Sequence, residues 1–126
     1  MYFFFKKSGS VYAWGFSNHG KLGIGVMERK GIERPFSRFF PTPILISKLQ
    51  RKRVRQVACG PNHSLALTDL EVFSWGSGDG GRLGLGDDKD RGLPVSIESL
   101  KGQIILQISA GNWHNAAVIL IPPMIE

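Results

Sequence analysis

Apolar and polar positions along this chain fall into short runs, each stopped by glycine. Val72-Phe73-Ser74-Trp75 is a β-branched and aromatic stretch that ends in a glycine cluster beginning at Gly76. Val54 to Ala58 and Ile104 to Ala110 are apolar runs closed by Gly60 and Gly111. A Gly-x-x-His link then leads into His63–Thr68 and His114–Leu120, which suit the returning strand of a hairpin. Nowhere do apolar residues keep a period of 3.6 over three turns, so no amphipathic helix is predicted. The pattern is that of an all-β chain.

The runs recur in order. Val11-Tyr12-Ala13-Trp14-Gly15 returns as Val72-Phe73-Ser74-Trp75-Gly76 at an offset of 61, which also carries Gly20-Lys21-Leu22-Gly23-Ile24-Gly25 onto Gly81-Arg82-Leu83-Gly84-Leu85-Gly86. Val57 to Leu67 returns as Ile108 to Val118 at an offset of 51, and Pro43 and Leu49 match Pro94 and Leu100. The change of offset places ten extra residues in the first copy, between Gly25 and Pro43. The expected organisation is a truncated strand of a preceding repeat over 1–7, a first repeat over 8–68 with an insertion at 26–42, a second repeat over 69–121, and a tail at 122–126. The offset of 61 run backwards puts Tyr2-Phe3-Phe4-Phe5 opposite His63-Ser64-Leu65-Ala66. Each copy reads as a small antiparallel sheet that cannot cover both faces alone and needs stacked neighbours. Short strands with a Trp-Gly signal at this repeat length point to a propeller.

The pattern Val-x-x-Trp-Gly, Gly-x-Leu-Gly-x-Gly, Pro, then Ala-x-Gly-x-x-His resembles the repeat of the regulator of chromosome condensation family. The resemblance covers about residues 2 to 120. It implies a ring of seven four-stranded blades, of which this chain would supply about two, the missing ones coming from the rest of a parent chain. A second possibility is a two-repeat protein that assembles with other chains. The family usually has glycine before the Val-x-x-Trp-Gly strand; Gly9 fits, whereas Leu70 departs and predicts a different turn there. Repeat-structural roles are expected for Trp14, Gly15, Gly23, Gly60, His63, Trp75, Gly76, Gly84, Gly111 and His114.

The family resemblance also implies a function: a non-catalytic protein-interaction module. Its best-known member is a guanine-nucleotide exchange factor for a small GTPase that also docks on the nucleosome, and other members form part of ubiquitin ligases. Three readings stay open: an interaction module that includes exchange for a small GTPase, a recruiting propeller of a larger ubiquitin ligase, and a basic surface for nucleic acid or chromatin. The expected partner is a protein, either a small GTPase or an acidic protein surface. An intracellular compartment is expected, nuclear or cytoplasmic.

Composition narrows the chemistry. The chain has 126 residues and a formal charge of +6, carried as +10 over residues 1–60 and −4 over 61–126. The basic half could draw an acidic partner. One cysteine, Cys59, leaves no internal disulfide framework and no thiolate zinc site. The longest apolar run, Ala116 to Ile121, is far shorter than a membrane helix needs. Gly76-Ser77-Gly78-Asp79-Gly80-Gly81 matches a dinucleotide fingerprint, but Arg82-Leu83-Gly84 is a poor helix start. Cys59 or Ser64 beside His63 could suggest a nucleophile, yet the second copy keeps the histidine and replaces both partners with Ala110 and Asn115. The histidine therefore reads as structural, bonding a turn carbonyl. Asp87, Asp88 and Asp90 lack the further oxygen ligands of a calcium loop. No catalytic residue, metal or cofactor is expected. Arg51-Lys52-Arg53-Val54-Arg55 reads as a solvated loop entering a strand, with a localisation or anion-binding patch as the alternative. The insertion is the candidate partner-binding loop, through Arg34, Phe36, Arg38 and Phe39, because arginine and aromatics anchor interfaces.

Overall fold

In a computed structural model, the described residues are the strand at 2–5, then 9–25 and 39–121. They hold nine strands: β1 (Tyr2–Phe5), β2 (Val11–Phe16), β3 (Phe39–Leu45), β4 (Gln56–Cys59), β5 (His63–Leu67), β6 (Val72–Gly76), β7 (Arg91–Ser96), β8 (Ile104–Ala110) and β9 (Asn115–Leu120). Every pairing is antiparallel, and the strands form three sheets in the orders β1-β2-β3, β4-β5-β6-β7 and β8-β9. Among the described residues the remaining regular structure is four three-residue 3-10 turns. No helix there is long and apolar enough to cross a membrane.

The all-β partial propeller is as expected, but the sheets do not coincide with the sequence repeats. The complete four-stranded blade takes β4 and β5 from the first copy and β6 and β7 from the second. The reason lies in the connections. β5 and β6 are joined by the four residues 68–71, a hairpin length, whereas 46–55 form a long link that carries the chain to the next sheet. Leu70 does change its turn: Gly9 has φ +80, while residues 68–71 are closed by Thr68, whose Oγ1 accepts from the N–H groups of Leu70 and Glu71.

Two boundaries shift. Tyr2 pairs with Trp14, whereas Ser64 pairs with Trp75, so Tyr2–Phe5 stand in the places of Ser64–Leu67, one residue on from the expected register. The link 6–10 has one residue more than 68–71. The expected insertion also ends early, because Phe39–Leu45 is strand β3 and its first residues pair with Phe16 and Gly15.

The core lies between sheets. Along β5 every residue is buried, without alternation, because both faces of the middle sheet are covered. Ala66, Phe73, Trp75 and Val54 pack toward the first sheet against Val11, Ala13, Leu22, Ile46 and Leu49. Leu65, Leu67, Val72 and Ile97 pack toward the third sheet against Ile105 and Ile108.

Candidate interaction surface

The two sheet-to-sheet joints are built by the repeated motifs. At the first joint, the Lys21 carbonyl accepts from the Trp75 indole Nε1 (2.9 Å) and from Ser64 Oγ (2.9 Å). Lys21 Nζ donates to the Pro61 carbonyl at 3.2 Å, and burial lowers the pKa of this lysine. At the second joint, Arg82 and Asn112 take the places of Lys21 and Pro61: Arg82 Nη1 donates to the Asn112 carbonyl at 3.3 Å, and Asn115 Nδ2 donates to the Arg82 carbonyl. The Arg82 guanidinium also lies 4.1 Å from the Trp113 ring centroid, a cation–π contact. Gln56 closes the same joint with a pair of 2.9 Å bonds to the main chain of Ile108.

The glycines of the motif are where other groups come too close for a side chain. A Cβ on Gly23 would stand 2.8 Å from the Trp75 indole nitrogen, and one on Gly60 would stand 2.3 Å from His63 Cε1. Gly111 is overlaid in the same way by His114. Gly15 and Gly76 follow their tryptophans at φ +107 and +103, each at a break in strand register, and Gly76 also faces the Asn62 carbonyl too closely for a Cβ. His63 reaches a turn carbonyl only indirectly. Its Nε2 bonds Asn115 Oδ1 at 2.7 Å, and Asn115 passes the contact to Arg82. Burial lowers the His63 pKa, outweighing the Asn115 bond, so the ring is neutral.

No nucleophile emerges from these groups. Desolvation pushes the Cys59 thiol up to about 11, opposite to the shift of a reactive thiolate. Ser64 spends its hydroxyl on the Lys21 carbonyl. The glycine-rich loop is closed by its own acid, Gly78 N–H donating to Asp90 Oδ1, and leads into a 3-10 turn rather than a helix. Asp90 also meets His19 Nδ1 at 3.2 Å, and Asp87 takes Arg91 at 2.7 Å and the Lys89 N–H. Among the described residues no cluster of His, Cys, Asp or Glu could hold a metal.

What remains are two loop faces. One carries the Gly-x-x-His turns, the 77–90 loop and both roots of the insertion. Arg34, Phe36 and Arg38 lie outside the described residues. Phe39 is 61% exposed, and its ring sits 5.5 Å from that of Phe16, itself 53% exposed. Phe40 turns inward onto the core, as strand alternation requires. Trp113, 62% exposed, stands on the same face, and neither the repeat signature nor its tryptophan rule singled it out. The opposite face carries the other basic segment. Val54 is buried there while Arg51, Lys52, Arg53 and Arg55 are exposed, as the alternation predicted. Arg55 is more than solvated: it donates to the Ile105 carbonyl and pairs with Asp69 at 3.3 Å. Arg51 and Arg53 hold left-handed φ of +63 and +55, where the second copy has Gly102 and Ile104.

Comparison with known proteins agrees with this joint-by-joint repetition. The regulator of chromosome condensation (RCC1) repeat matches residues 8–67 and 71–118, and a second description of that repeat matches 54–82. The chain is 41% identical over 109 residues to the ultraviolet-B receptor UVR8 of Arabidopsis thaliana, covering 86% of this chain and 22% of the receptor. It is 39% identical over 113 residues to the human E3 ubiquitin-protein ligase HERC2, covering 89% of this chain and 2% of the ligase. It thus spans a minor part of these relatives. Among solved structures, Prp20p of Saccharomyces cerevisiae superposes with a TM-score of 0.75 at 22% identity, over 95% of this chain and 29% of that one. Human WBSCR16 gives 0.70 at 22% identity, over 94% and 29%. With the repeat matched over most of its length and its joints built by the repeat's own residues, the chain belongs to the regulator of chromosome condensation (RCC1) repeat family.

Proposed function

We propose that this chain is a non-catalytic protein-binding part of an intracellular propeller, docking a partner on the face that carries the insertion. The observation that carries the reading is the exposed Phe16–Phe39 pair at the root of the insertion. Two large aromatics held by strands β2 and β3 are rigid anchors, and Arg34 and Arg38 lie between them in sequence as candidate contacts for an acidic surface. The yeast relative is described by its binding to Gsp1p and histones, which makes a small GTPase and a basic, nucleosomal protein the two probes to compare. A charged insertion with Arg34 and Arg38 favours the GTPase. Exchange would then work by stabilising one state of that partner through differential binding.

The test measures the affinity of the full chain for Gsp1p and for histones, in wild type and in Arg34→Ala/Arg38→Ala and Phe16→Ser/Phe39→Ser variants. Each pair is expected to weaken GTPase binding by about 10-fold or more, as loss of charge-assisted or aromatic anchors does. Unchanged GTPase affinity at low salt in both variants overturns the reading.

A second reading is favoured by one observation on the opposite face. Arg51 and Arg53 are exposed in a conformation that costs a non-glycine residue of order 1–3 kcal/mol, and neither makes an ion pair among the described residues. An anionic partner, nucleic acid included, would use them. Steep loss of affinity with salt, abolished by Arg51→Gly/Arg53→Ser, separates it from the first reading. A recruiting role within a ubiquitin ligase would use either face.

A further inference from the structure

Three residues on the loop face opposite the insertion break the pattern of the repeat, and all three are exposed: Arg51, Arg53 and Leu70. Residues 49–52 form a type II turn, with Gln50 at φ −59 and ψ 138, Arg51 at φ +63 and the Lys52 N–H on the Leu49 carbonyl at 3.2 Å. Residues 100–103 make the same turn, and there Gly102 holds the left-handed position. Arg53, at φ +55, has its main chain pressed against Gly9, where a Cβ would stand 2.6 Å from the Arg53 Cα. Leu70, where the first copy has Gly9, is 77% exposed on the turn that Thr68 closes. That turn belongs to the four-stranded blade, which has a sheet packed on each side.

The basic link and the Leu70 turn are neighbours. The Arg55 N–H donates to the Leu67 carbonyl at 2.8 Å, Arg55 Nε meets Asp69 at 3.3 Å, and Lys52 Nζ lies 5.7 Å from the Phe73 ring centroid. Of the acids on this face, Asp69 is taken by Arg55 and Glu98 by Lys101 at 2.9 Å, which leaves the half-buried Glu71. Lys48, Arg51, Lys52 and Arg53 are exposed and join no carboxylate among the described residues. We propose that this face docks on an anionic membrane, with Lys48, Arg51, Lys52 and Arg53 at the headgroups and Leu70 entering the acyl boundary. The proposal rests on the second reading above, in which Arg51 and Arg53 meet an anionic partner, and it names that partner. Basic clusters of about this size hold anionic leaflets, and an apolar side chain beside them adds insertion. Nucleic acid would use the same cations, but it gains from stacking aromatics, and the exposed rings of Phe16, Phe39 and Trp113 all stand on the opposite face. A protein interface selects aromatics and disfavours lysine and leucine as anchors. A leucine beside unpaired cations suits a bilayer.

The test is co-sedimentation of the full 126-residue chain with phosphatidylcholine vesicles, with and without about one-third phosphatidylserine, beside binding to a single-stranded oligonucleotide. Binding to the anionic vesicles that falls with salt is expected, and none to the neutral ones. Arg51→Gly/Arg53→Asn uses two residues at home at positive φ and should weaken vesicle binding by about 30-fold. Leu70→Ser should weaken it by about 10-fold. Leu70→Trp should keep binding, and its added emission should be quenched by lipid brominated in the acyl chains. All these sites are exposed, so the urea midpoints of the variants should stay at or above that of the wild type. Vesicle binding indifferent to Leu70→Ser, with the new tryptophan unquenched, overturns the proposal. An oligonucleotide that binds while the anionic vesicles do not overturns it too, and leaves the second reading standing. Failure of both probes at low salt overturns the two together.

Discussion

The two joints of this molecule are made from the same motif and differ in how far they are filled. At the first, Trp75, Leu22, Ile46 and Leu49 are fully buried, and His63 on the far side of the same sheet is buried as well. At the second, Leu83 and Ile97 stay buried, yet Leu100 is half-buried; beyond it, on the outer side of the third sheet, His114 is exposed and Val118, counterpart of the buried Leu67, is 52% exposed. Equal sequence positions therefore have unequal energetic weight. A repeat residue is stabilising in proportion to the neighbour stacked over it, as expected for an array in which each unit contacts only the next.

The largest break in this comparison is Trp75→Ala. Removing a fully buried indole that also bonds the Lys21 carbonyl should cost about 3–5 kcal/mol, a large share of an ordinary domain's stability. Urea unfolding should show the midpoint collapse. A loss below about 1 kcal/mol would mean that the first joint does not hold the sheets together.

Paired glycine substitutions sharpen the contrast at smaller scale. A methyl group at Gly60 would meet His63, which is walled in, and Gly60→Ala should cost about 1–3 kcal/mol through overpacking. Gly111→Ala meets the exposed His114, which can swing aside, and should cost clearly less in the same unfolding assay. Equal losses would show that the turn backbone, rather than the stacked neighbour, decides the effect.

The smallest expected effect is on pH dependence. Burial holds the His63 pKa below its usual 6.5, so the unfolded chain takes up the proton more readily than the folded one. The stability from neutral His63 is fully present above pH 6.5 and is lost as pH falls below it toward the lowered folded value. Midpoints measured between pH 7.5 and 5.5, above the carboxylate range, should fall for wild type and stay flatter for His63→Gln. A wild-type slope retained in His63→Gln would assign the dependence to another group.

Much of the fold was legible because the repeat is spelled by residues with narrow physical uses. Gly-x-x-His marked both hairpin turns, and Val-x-x-Trp-Gly marked β2 and β6. The interaction surface was legible only in part. Phe39 was singled out, but Phe16 lies inside a repeat motif, and nothing local distinguishes its exposed ring from the buried Val11 five residues earlier. Trp113 stands where the first copy has Asn62, so the repeat gave no reason to look there.

By itself the sequence determined which residues form strands, which turns close them and in what order, because β-propensity, glycine at tight approaches and hairpin loop lengths act over a few neighbours. It did not determine which strands share a sheet. That β4 and β5 join β6 and β7 across the repeat boundary follows from hairpin 68–71 being shorter than the link 46–55, and from Trp75 finding its seat on the preceding sheet. Nor did it show that His63 and His114, identical in motif, are buried and exposed respectively. Burial is a property of what stacks against a strand, and a stacked neighbour is brought by tertiary structure alone.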